Sequence, residues 1–591
     1  MFVLIDNNSG AGGPSLIFED PLRSLIVESQ AGVGEALLQI EAATAQGLYA
    51  AGFFSYELGY ALEPRLAPRL PASRQVPLLW FGIFREPRKL TDDDVLAFLS
   101  AASDGVLAGP PRPLWQADDY TKRFVQAKQH IEAGDIYQLN LTFPVELRLE
   151  GSPLGLYRQL RKRQPVAHGA YLDTGQHRIL SLSPEQFYAR EGSQIVSRPM
   201  KGTAARGLTT GADARARAEL AGDAKQRAEN LMIVDLMRND IGRMAEIGSV
   251  LVSDLFTVET FRTVHQMTSG IEARLRPGVS LSDSVRALFP PGSVTGAPKI
   301  KAMELISELE AAPRGIYCGA IGYAGPGNVE RFNVAIRTLV FDATGQGSMG
   351  LGSAVVADSD AAAEYAECLL KMSFLSAHQT DFELIETMLY QPGNGLWLLD
   401  RHLDRLARSA RHFGFKFDEN RIRSAAAGAV HLSADQPARV RLLLSRDGQT
   451  TVTKVPMPAA SPGRLRAVIA REPVESADPF LAHKTTNRRR YDTDWQRCHD
   501  ELGADEVLYV NERGELTEGS RTNLFLAVGG HDVLLTPTQS CGLLPGVLRT
   551  EMLSNGTAEE RVLTRVDLDA ATRIFLGNSV RGLVPAELIE A

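Results

Sequence analysis

Lys201 lies in the run Pro199-Met200-Lys201-Gly202-Thr203, between an extended proline lead-in and a glycine turn. A lysine used as a nucleophile needs a fixed backbone and a partly dry setting, because desolvation disfavours the ammonium and leaves a free amine. The ordinary alternative is a solvated loop lysine, since lysine is seldom buried without a partner. Acids accompany it. Glu185 closes Ser183-Pro184-Glu185 at a strand end, where it could protonate a leaving group. Glu229 falls in a helix read over residues 223–242, with Asp223 as N-cap, on one face with Met232, Ile233 and Leu236. Glu364, Glu367 and Lys371 share one face of a second helix, over residues 361–374. The plain reading there is a surface ion pair of Glu367 with Lys371. The sharper one is that Glu229 and Glu367 converge on a Mg2+ that keeps water or substrate ligands.

Other elements must hold these groups in place. Ala51-Gly52-Phe53-Phe54 suits a buried strand, and Phe124, Ala127 and Ile131 mark an amphipathic helix over residues 120–134. The strand that follows, over 137–143, could turn Gln138, Asn140 and Thr142 to one face, as a polar pocket lining or a solvated face. Ser293-Val294-Thr295-Gly296-Ala297-Pro298-Lys299 opens a helix whose backbone N–H groups could hold an anion. Residues 319–323 and 333–338 read as two strands joined by a turn over 325–328, and Arg337 interrupts the second. A buried arginine needs an acidic partner, from the protein or from a substrate.

The totals exclude several classes. At 591 residues the chain exceeds one ordinary core and predicts two to four domains. Hydrophobic residues at 44% and charged residues at 23% describe a globular protein, and a net charge of -8 gives no reason to expect nucleic acid. The start has no basic n-region and no later segment is apolar for long enough to span a bilayer, so the expectation is a cytoplasmic protein with no membrane partner. Cys318, Cys368, Cys498 and Cys541 are scattered and fit reduced thiols.

Taken in order, Ser183-Pro184-Glu185, Pro199 to Thr203, Arg227-Ala228-Glu229-Asn230-Leu231-Met232-Ile233-Val234-Asp235-Leu236, Gly296-Ala297-Pro298-Lys299 and Ala335-Ile336-Arg337-Thr338 resemble the chorismate-utilising enzymes over about residues 50–375. In that family anthranilate synthases usually carry alanine at the position of Lys201, whereas the aminodeoxychorismate synthases carry lysine. The resemblance therefore implies amination of chorismate at C4, with Lys201 attacking C2, Glu185 protonating the departing hydroxyl and ammonia then expelling the lysine. It further implies that Glu229 and Glu367 hold Mg2+ on the ring carboxylate. Arg337 and Tyr323 would grip the pyruvyl carboxylate, and His265, Lys371 and Gly352 would complete the substrate site. The run Gly350-Leu351-Gly352-Ser353-Ala354-Val355-Val356 departs from the family pattern at Ala354, where glycine is usual. No Gly-x-Cys-x-Gly elbow of a glutamine amidotransferase occurs, so the expectation is free ammonia or a separate glutaminase subunit.

From residue 382 the pattern restarts. Asp400-Arg401-His402-Leu403-Asp404-Arg405, His483-Lys484-Thr485-Thr486-Asn487-Arg488, Leu516-Thr517-Glu518-Gly519 and Leu544-Pro545-Gly546-Val547-Leu548-Arg549 resemble, in their order, the fold-type IV pyridoxal-phosphate (PLP) enzymes. That chemistry asks for a Schiff-base lysine, an acid facing the pyridine nitrogen, and an arginine with a helix N-terminus for the phosphate. By resemblance these are Lys484, Glu518, Arg405 and the amides of Gly546 and Val547, with Asn578 and Ser579 as further phosphate contacts.

The expected architecture is α+β. A large β-sandwich-with-helices chorismate domain at 1–376 is followed by a linker at 377–381 and a fold-type IV domain at 382–591, through which relatives usually dimerise. The amino-terminal strands common in stand-alone fold-type IV members are missing. Fusion to the first domain implies a lyase that takes 4-amino-4-deoxychorismate to 4-aminobenzoate and pyruvate, in the supply of a folate precursor. The alternatives are an anthranilate-type synthase joined to an aminotransferase, or a noncatalytic second domain serving dimerisation.

Overall fold

Residues 50–54 are buried without alternation, which a strand tolerates only when both its faces are covered. In the computed structural model the strand Tyr49–Phe54 pairs with Leu79–Phe84 on one side and Ala320–Gly325 on the other. Gly52 permits this, since a Cβ there would stand 2.0 Å from the Trp80 carbonyl oxygen. The structure describes residues 1–591 apart from 10–12, 208–209, 262–263, 311, 377–381, 432–435, 458–462, 530–532 and 591. The expected linker at 377–381 lies outside the described residues. Two compact units result. The first is Met1–Ala205 with Arg217–His378, and the second is Arg206–Ala216 with Gln379–Ala591.

The first unit contains two large sheets. One runs from Gly296–Ala297 through Gln138–Gly151, Gln346–Val355, Thr338–Phe341 and Arg178–Ser183 to the amino-terminal strands. The other contains Gln194–Arg198, Gln186–Glu191, Val329–Val334, Ala320–Gly325 and Tyr49–Phe54. Phe18 and Ile179 from the first pack with Phe53, Trp80 and Ile321 from the second, the apolar layer of a sandwich. A small third sheet, Met200–Ala205 with Val264–Thr268 and Thr257–Thr260, carries Lys201.

Local chemistry sets the helices. Asp223 caps Ala224–Gly242, its carboxylate accepting from the Gln226 N–H at 2.8 Å. The buried stripe of that helix is Asn230, Ile233, Val234, Met237 and Ile241, one position on from the face predicted, so Glu229 lies on its flank and is only part-buried. The second acidic helix is Ala361–Leu370, shorter than predicted, with Asp360 as its N-cap. Arg337 does not interrupt a strand: it stands between Val329–Val334 and Thr338–Phe341 with φ of 50°, in the left-handed region.

In the second unit a four-stranded sheet built on Leu384–Gln391 and Ala438–Leu444 packs against the helix Leu399–Phe413. An eight-stranded sheet contains Glu506–Val510, Leu516–Gly519, Asn523–Ala527 and Arg573–Asn578. The helix Val547–Ser554 follows Gly546. Cys318, Cys368, Cys498 and Cys541 are free and buried. Among the described residues no helix is long and apolar enough to cross a membrane.

Candidate active sites

Lys201 is the second residue of its strand, and its carbonyl accepts from Asn230 Nδ2 at 3.3 Å. Burial lowers the pKa of its amine, and Lys371 adds to the effect, while Glu229, Glu367 and Glu185 oppose it. These five groups therefore share one electrostatic site, although Lys201 and Glu185 lie far from Glu367 in sequence. Glu185, 4% exposed, is pushed up to about 7 by burial, against a hydrogen bond from Ser293 Oγ at 2.6 Å and the nearby charge of Lys201. A carboxyl group poised there can still donate a proton at neutral pH. Ser183 Oγ accepts from the Glu185 N–H at 3.2 Å and fixes the turn that presents it.

Burial also raises the Glu229 carboxyl, with Glu364 and Glu367 adding like-charge repulsion and Lys201 and Lys225 opposing it. Glu367 moves the other way, because Lys371 Nζ, 2.7 Å from its Oε1, outweighs the effect of burial. Lys371 also donates to the Gly352 carbonyl at 2.9 Å, so the lysine is tied to the strand Gln346–Val355 as well as to Glu367. Gly352 sits opposite Thr142, and a Cβ there would fall 2.6 Å from Thr142 Cγ2. No group of three His, Cys, Asp or Glu side chains close enough to hold a metal occurs among the described residues. Glu229 and Glu367 lie close enough to act on each other electrostatically, and two carboxylates could hold a hard cation only if water or substrate oxygens completed its shell.

Burial alone holds the Arg337 guanidinium down at about 10, and it has no ion-pair partner among the described residues. Tyr323 does not join it. Tyr323 is packed against Phe18, with ring centroids 5.5 Å apart, and its charged neighbours are Arg331 and Glu191. The alternation of the strand Ala320–Gly325 turns it into the sandwich layer, which corrects the expected pairing with Arg337. His265 is buried, opposite Ala204 on the Lys201 strand, with Nδ1 3.0 Å from Thr260 Oγ1. Gln138, Asn140 and Thr142 are all buried rather than solvated. At the start of the helix after Pro298, the Lys299 ammonium donates to Asp240 at 2.6 Å and to the Leu288 carbonyl at 2.7 Å.

The second unit holds a cavity of about 580 Å3 whose lining includes Lys484, Arg405, Glu518, Gly546, Val547, Asn578 and Ser579. Burial, reinforced by Arg488 and Arg405, brings the Lys484 ammonium down to about 7, against Glu386 and Glu518. Burial raises Glu518 to about 7, although Tyr491 Oη donates to its Oε1 at 3.0 Å and the Leu544 N–H to its Oε2 at 3.1 Å. An amine brought down to about 7 and a buried carboxyl raised to about 7, in one cavity, fit PLP: the first its aldehyde carbon, the second its pyridine nitrogen.

The phosphate contacts differ in detail from expectation. Arg405 is not a free cation but is paired with Glu386, with Nη1 3.4 Å from the Pro545 carbonyl. The Gly546 N–H is committed to the Leu544 carbonyl at 2.8 Å, which leaves Val547 to open the helix. The Asn578 side chain is spent on its own turn, accepting from the Val580 and Arg581 N–H groups at 3.0 Å and donating to the Arg521 carbonyl at 3.2 Å. Ser579 Oγ donates to the Thr387 carbonyl at 3.5 Å.

Sequence reasoning missed Ser293, Lys225, Tyr491 and Glu386. Lys225 had a readable signal, four residues before Glu229 on one helix. The others lie far from their partners in sequence.

A β-sandwich bearing a lysine, a buried acid and two glutamates defines a class. The chain belongs to the chorismate binding enzymes, whose family model matches residues 24–377. Residues 383–589 match the model of the amino-transferase class IV family. An aminodeoxychorismate synthase of Streptomyces griseus is 43% identical over 292 residues, 47% of this chain and 40% of that protein. Aminodeoxychorismate synthase component 1 of Klebsiella aerogenes is 39% identical over 345 residues, 55% of this chain and 75% of that one. The chain thus spans under half the length of the first relative and three quarters of the second. The crystal structure of anthranilate synthase component I from Streptococcus pneumoniae matches at a TM-score of 0.53 and 25% identity, covering 63% of this chain and 94% of that one.

Proposed function

We propose that the chain makes 4-aminobenzoate from chorismate in two steps, amination in the first unit and elimination of pyruvate in the second. The observation that carries the first step is Lys201, an amine whose pKa burial lowers and which shares its site with an acid raised to about 7. Fold likeness extends to an anthranilate synthase as well, so the lysine rather than the fold selects the product. Lys201 Nζ bonds to C2 of chorismate as the C4–O bond breaks, and Glu185 gives its proton to the departing hydroxyl, which leaves as water. Ammonia then bonds to C4 and the C2–N bond to Lys201 breaks, returning the free amine. Glu229 and Glu367 would hold Mg2+, whose charge orients the ring carboxylate, and Arg337 supplies an unpaired guanidinium for the second carboxylate.

In the second step PLP, when bound, supplies an electron sink that makes the C4 proton of the aminated ring acidic. Lys484, with its amine near 7, takes that proton, the ring becomes aromatic as the ring C3–O bond to the enolpyruvyl group breaks, and the departing enolpyruvate takes up one proton to become pyruvate. Glu518 supports the pyridine nitrogen. Arg439, Arg441, Arg521 and Arg581 line the cavity without an ion pair among the described residues. These exposed guanidinium groups suit a substrate with two carboxylates, which a branched-chain amino acid does not offer. The Klebsiella aerogenes relative is named as a component 1, and we assign this chain, too, a separate glutaminase partner as its ammonia source.

The test supplies purified chain with chorismate, an ammonium salt, Mg2+ and PLP but no 2-oxo acid. Formation of 4-aminobenzoate and pyruvate is the expected result; anthranilate as product would overturn the reading.

A further inference from the structure

Glu386 is the third residue of the strand Leu384–Gln391 and is 1% exposed. Its neighbours Ile385 and Thr387 line the cavity of the second unit. Strand alternation therefore puts Glu386 behind that wall. Arg405 spans the wall. Its Nε donates to Glu386 Oε1 at 2.9 Å and its Nη2 to Oε2 at 2.6 Å, a bidentate clamp. Nη1 donates to the Pro545 carbonyl at 3.4 Å and keeps a second N–H; Gly546 and Val547, the next two residues, line the cavity with Arg405. His402 Nδ1 lies 2.5 Å from Oε2 of the same carboxylate, and His402 is fully buried. An ionised carboxylate can only accept, so Nδ1 carries the proton and the imidazole, whose own pKa burial lowers, is neutral.

Burial would push the Glu386 carboxyl up, yet Arg405 and His402 outweigh it and hold it down at about 2. The cluster is thus a fixed anion gripping one edge of a guanidinium. Glu386 and Arg405 cancel in charge, so the pair offers the cavity a set geometry more than a net positive charge. That is an odd arrangement if attraction of an anion were the sole purpose, and a sensible one if a planar donor edge must be aimed.

We propose that Glu386, seconded by His402, is a positioning residue of the phosphate receptor: it locks Arg405 so that the Nη1 edge faces a phosphate monoester at the start of the helix Val547–Ser554. The inference rests on the reading that PLP occupies this cavity. Simple electrostatics predicts the opposite sign for the decisive variant, because removing the negative charge of Glu386 would leave Arg405 a stronger anion trap.

The experiment titrates PLP and pyridoxal, which lacks the phosphate, into the full cofactor-free chain, followed by absorbance. Wild type, Glu386→Gln, His402→Gln and Arg405→Leu are compared, with circular dichroism as the check on folding. For Glu386→Gln the expected result is roughly tenfold weaker PLP binding with pyridoxal affinity unchanged, and for His402→Gln a smaller loss confined to PLP. Equal loss of both ligands in Glu386→Gln would mark a merely structural role, and tighter or unchanged PLP binding a merely electrostatic one; either overturns the inference while leaving the cofactor reading intact. An unaffected Arg405→Leu would overturn the inference alone, whereas failure of the wild-type chain to bind PLP would overturn the cofactor reading and the inference with it.

Discussion

Ser293 Oγ donates to Glu185 Oε1 at 2.6 Å, joining a serine from the run before the helix Lys299–Leu309 to the acid between two sandwich strands. That bond stabilises the charged carboxylate against burial. Removing it in Ser293→Ala raises the Glu185 pKa further, so the alkaline limb of chorismate amination, set by loss of the acid's proton, moves to higher pH by roughly one pH unit. The check is a pH profile of aminodeoxychorismate formation at constant free ammonia. A limb displaced to lower pH would contradict the assignment of Glu185 as the acid.

Stability carries the same sign. A carboxyl raised from an unfolded value near 4.5 to about 7 contributes stability that is present below 4.5 and lost as the pH climbs through 7. Glu185→Gln abolishes that loss. At pH 8 the variant is expected to unfold at a higher temperature than wild type, by an amount worth roughly 3 kcal/mol, and at pH 4 to show little advantage. Thermal scans of the first unit's transition at the two pH values decide it.

Lys201→Ala is expected to stop aminodeoxychorismate formation while leaving supplied aminodeoxychorismate convertible to 4-aminobenzoate. Lys484→Ala does the reverse: the intermediate accumulates, and borohydride no longer fixes the mass of the cofactor to the chain. Because the Lys484 amine is brought down to about 7, covalent attachment of PLP to wild type slows as pH falls below 7, where the amine is protonated. Mass spectrometry and product chromatography read both outcomes.

Arg337 combines a left-handed backbone with a guanidinium that has no ion pair among the described residues. Arg337→Met is expected to raise KM for chorismate by tenfold or more with no loss of thermal stability. Arg337→Gly removes the same contact and also relieves backbone strain, for a gain on the order of 1 kcal/mol. A steep drop in stability for the methionine variant would show that the arginine serves the fold.

Chelation separates the units. EDTA is expected to abolish turnover of chorismate and to spare conversion of supplied aminodeoxychorismate. Lys371 Nζ stands 2.7 Å from Glu367 Oε1, so a Mg2+ bound at Glu367 would compete with an ammonium for that carboxylate. Lys371→Met is therefore expected to bind Mn2+, used as a paramagnetic stand-in, about tenfold more tightly in the absence of substrate.

Much of this was legible in the chain. Asp223 as a cap, the buried strand at 50–54 and the two lysines in their motifs are local features, decided by neighbours a few residues away. Errors arose where a local pattern admitted two continuations. The stripe on Ala224–Gly242 is one position from the one read, because residues 229–237 are apolar over more than a single face and only packing chooses among them. Tyr323 has the right neighbours in sequence and the wrong side of a strand, a distinction that alternation fixes only once register is known.

The sequence by itself determined which groups can react: amines at 201 and 484, acids at 185 and 518, and acids at 229 and 367 that could share a cation. Residue type and order suffice for that, since they set the chemistry a side chain can perform. Tertiary structure decided how each group is charged and what holds it. Ser293 reaches Glu185 and Tyr491 reaches Glu518 across long stretches of chain, and Glu386 clamps Arg405 from behind a strand. A pKa depends on desolvation and on charges nearby in space, and neither quantity exists until distant segments pack.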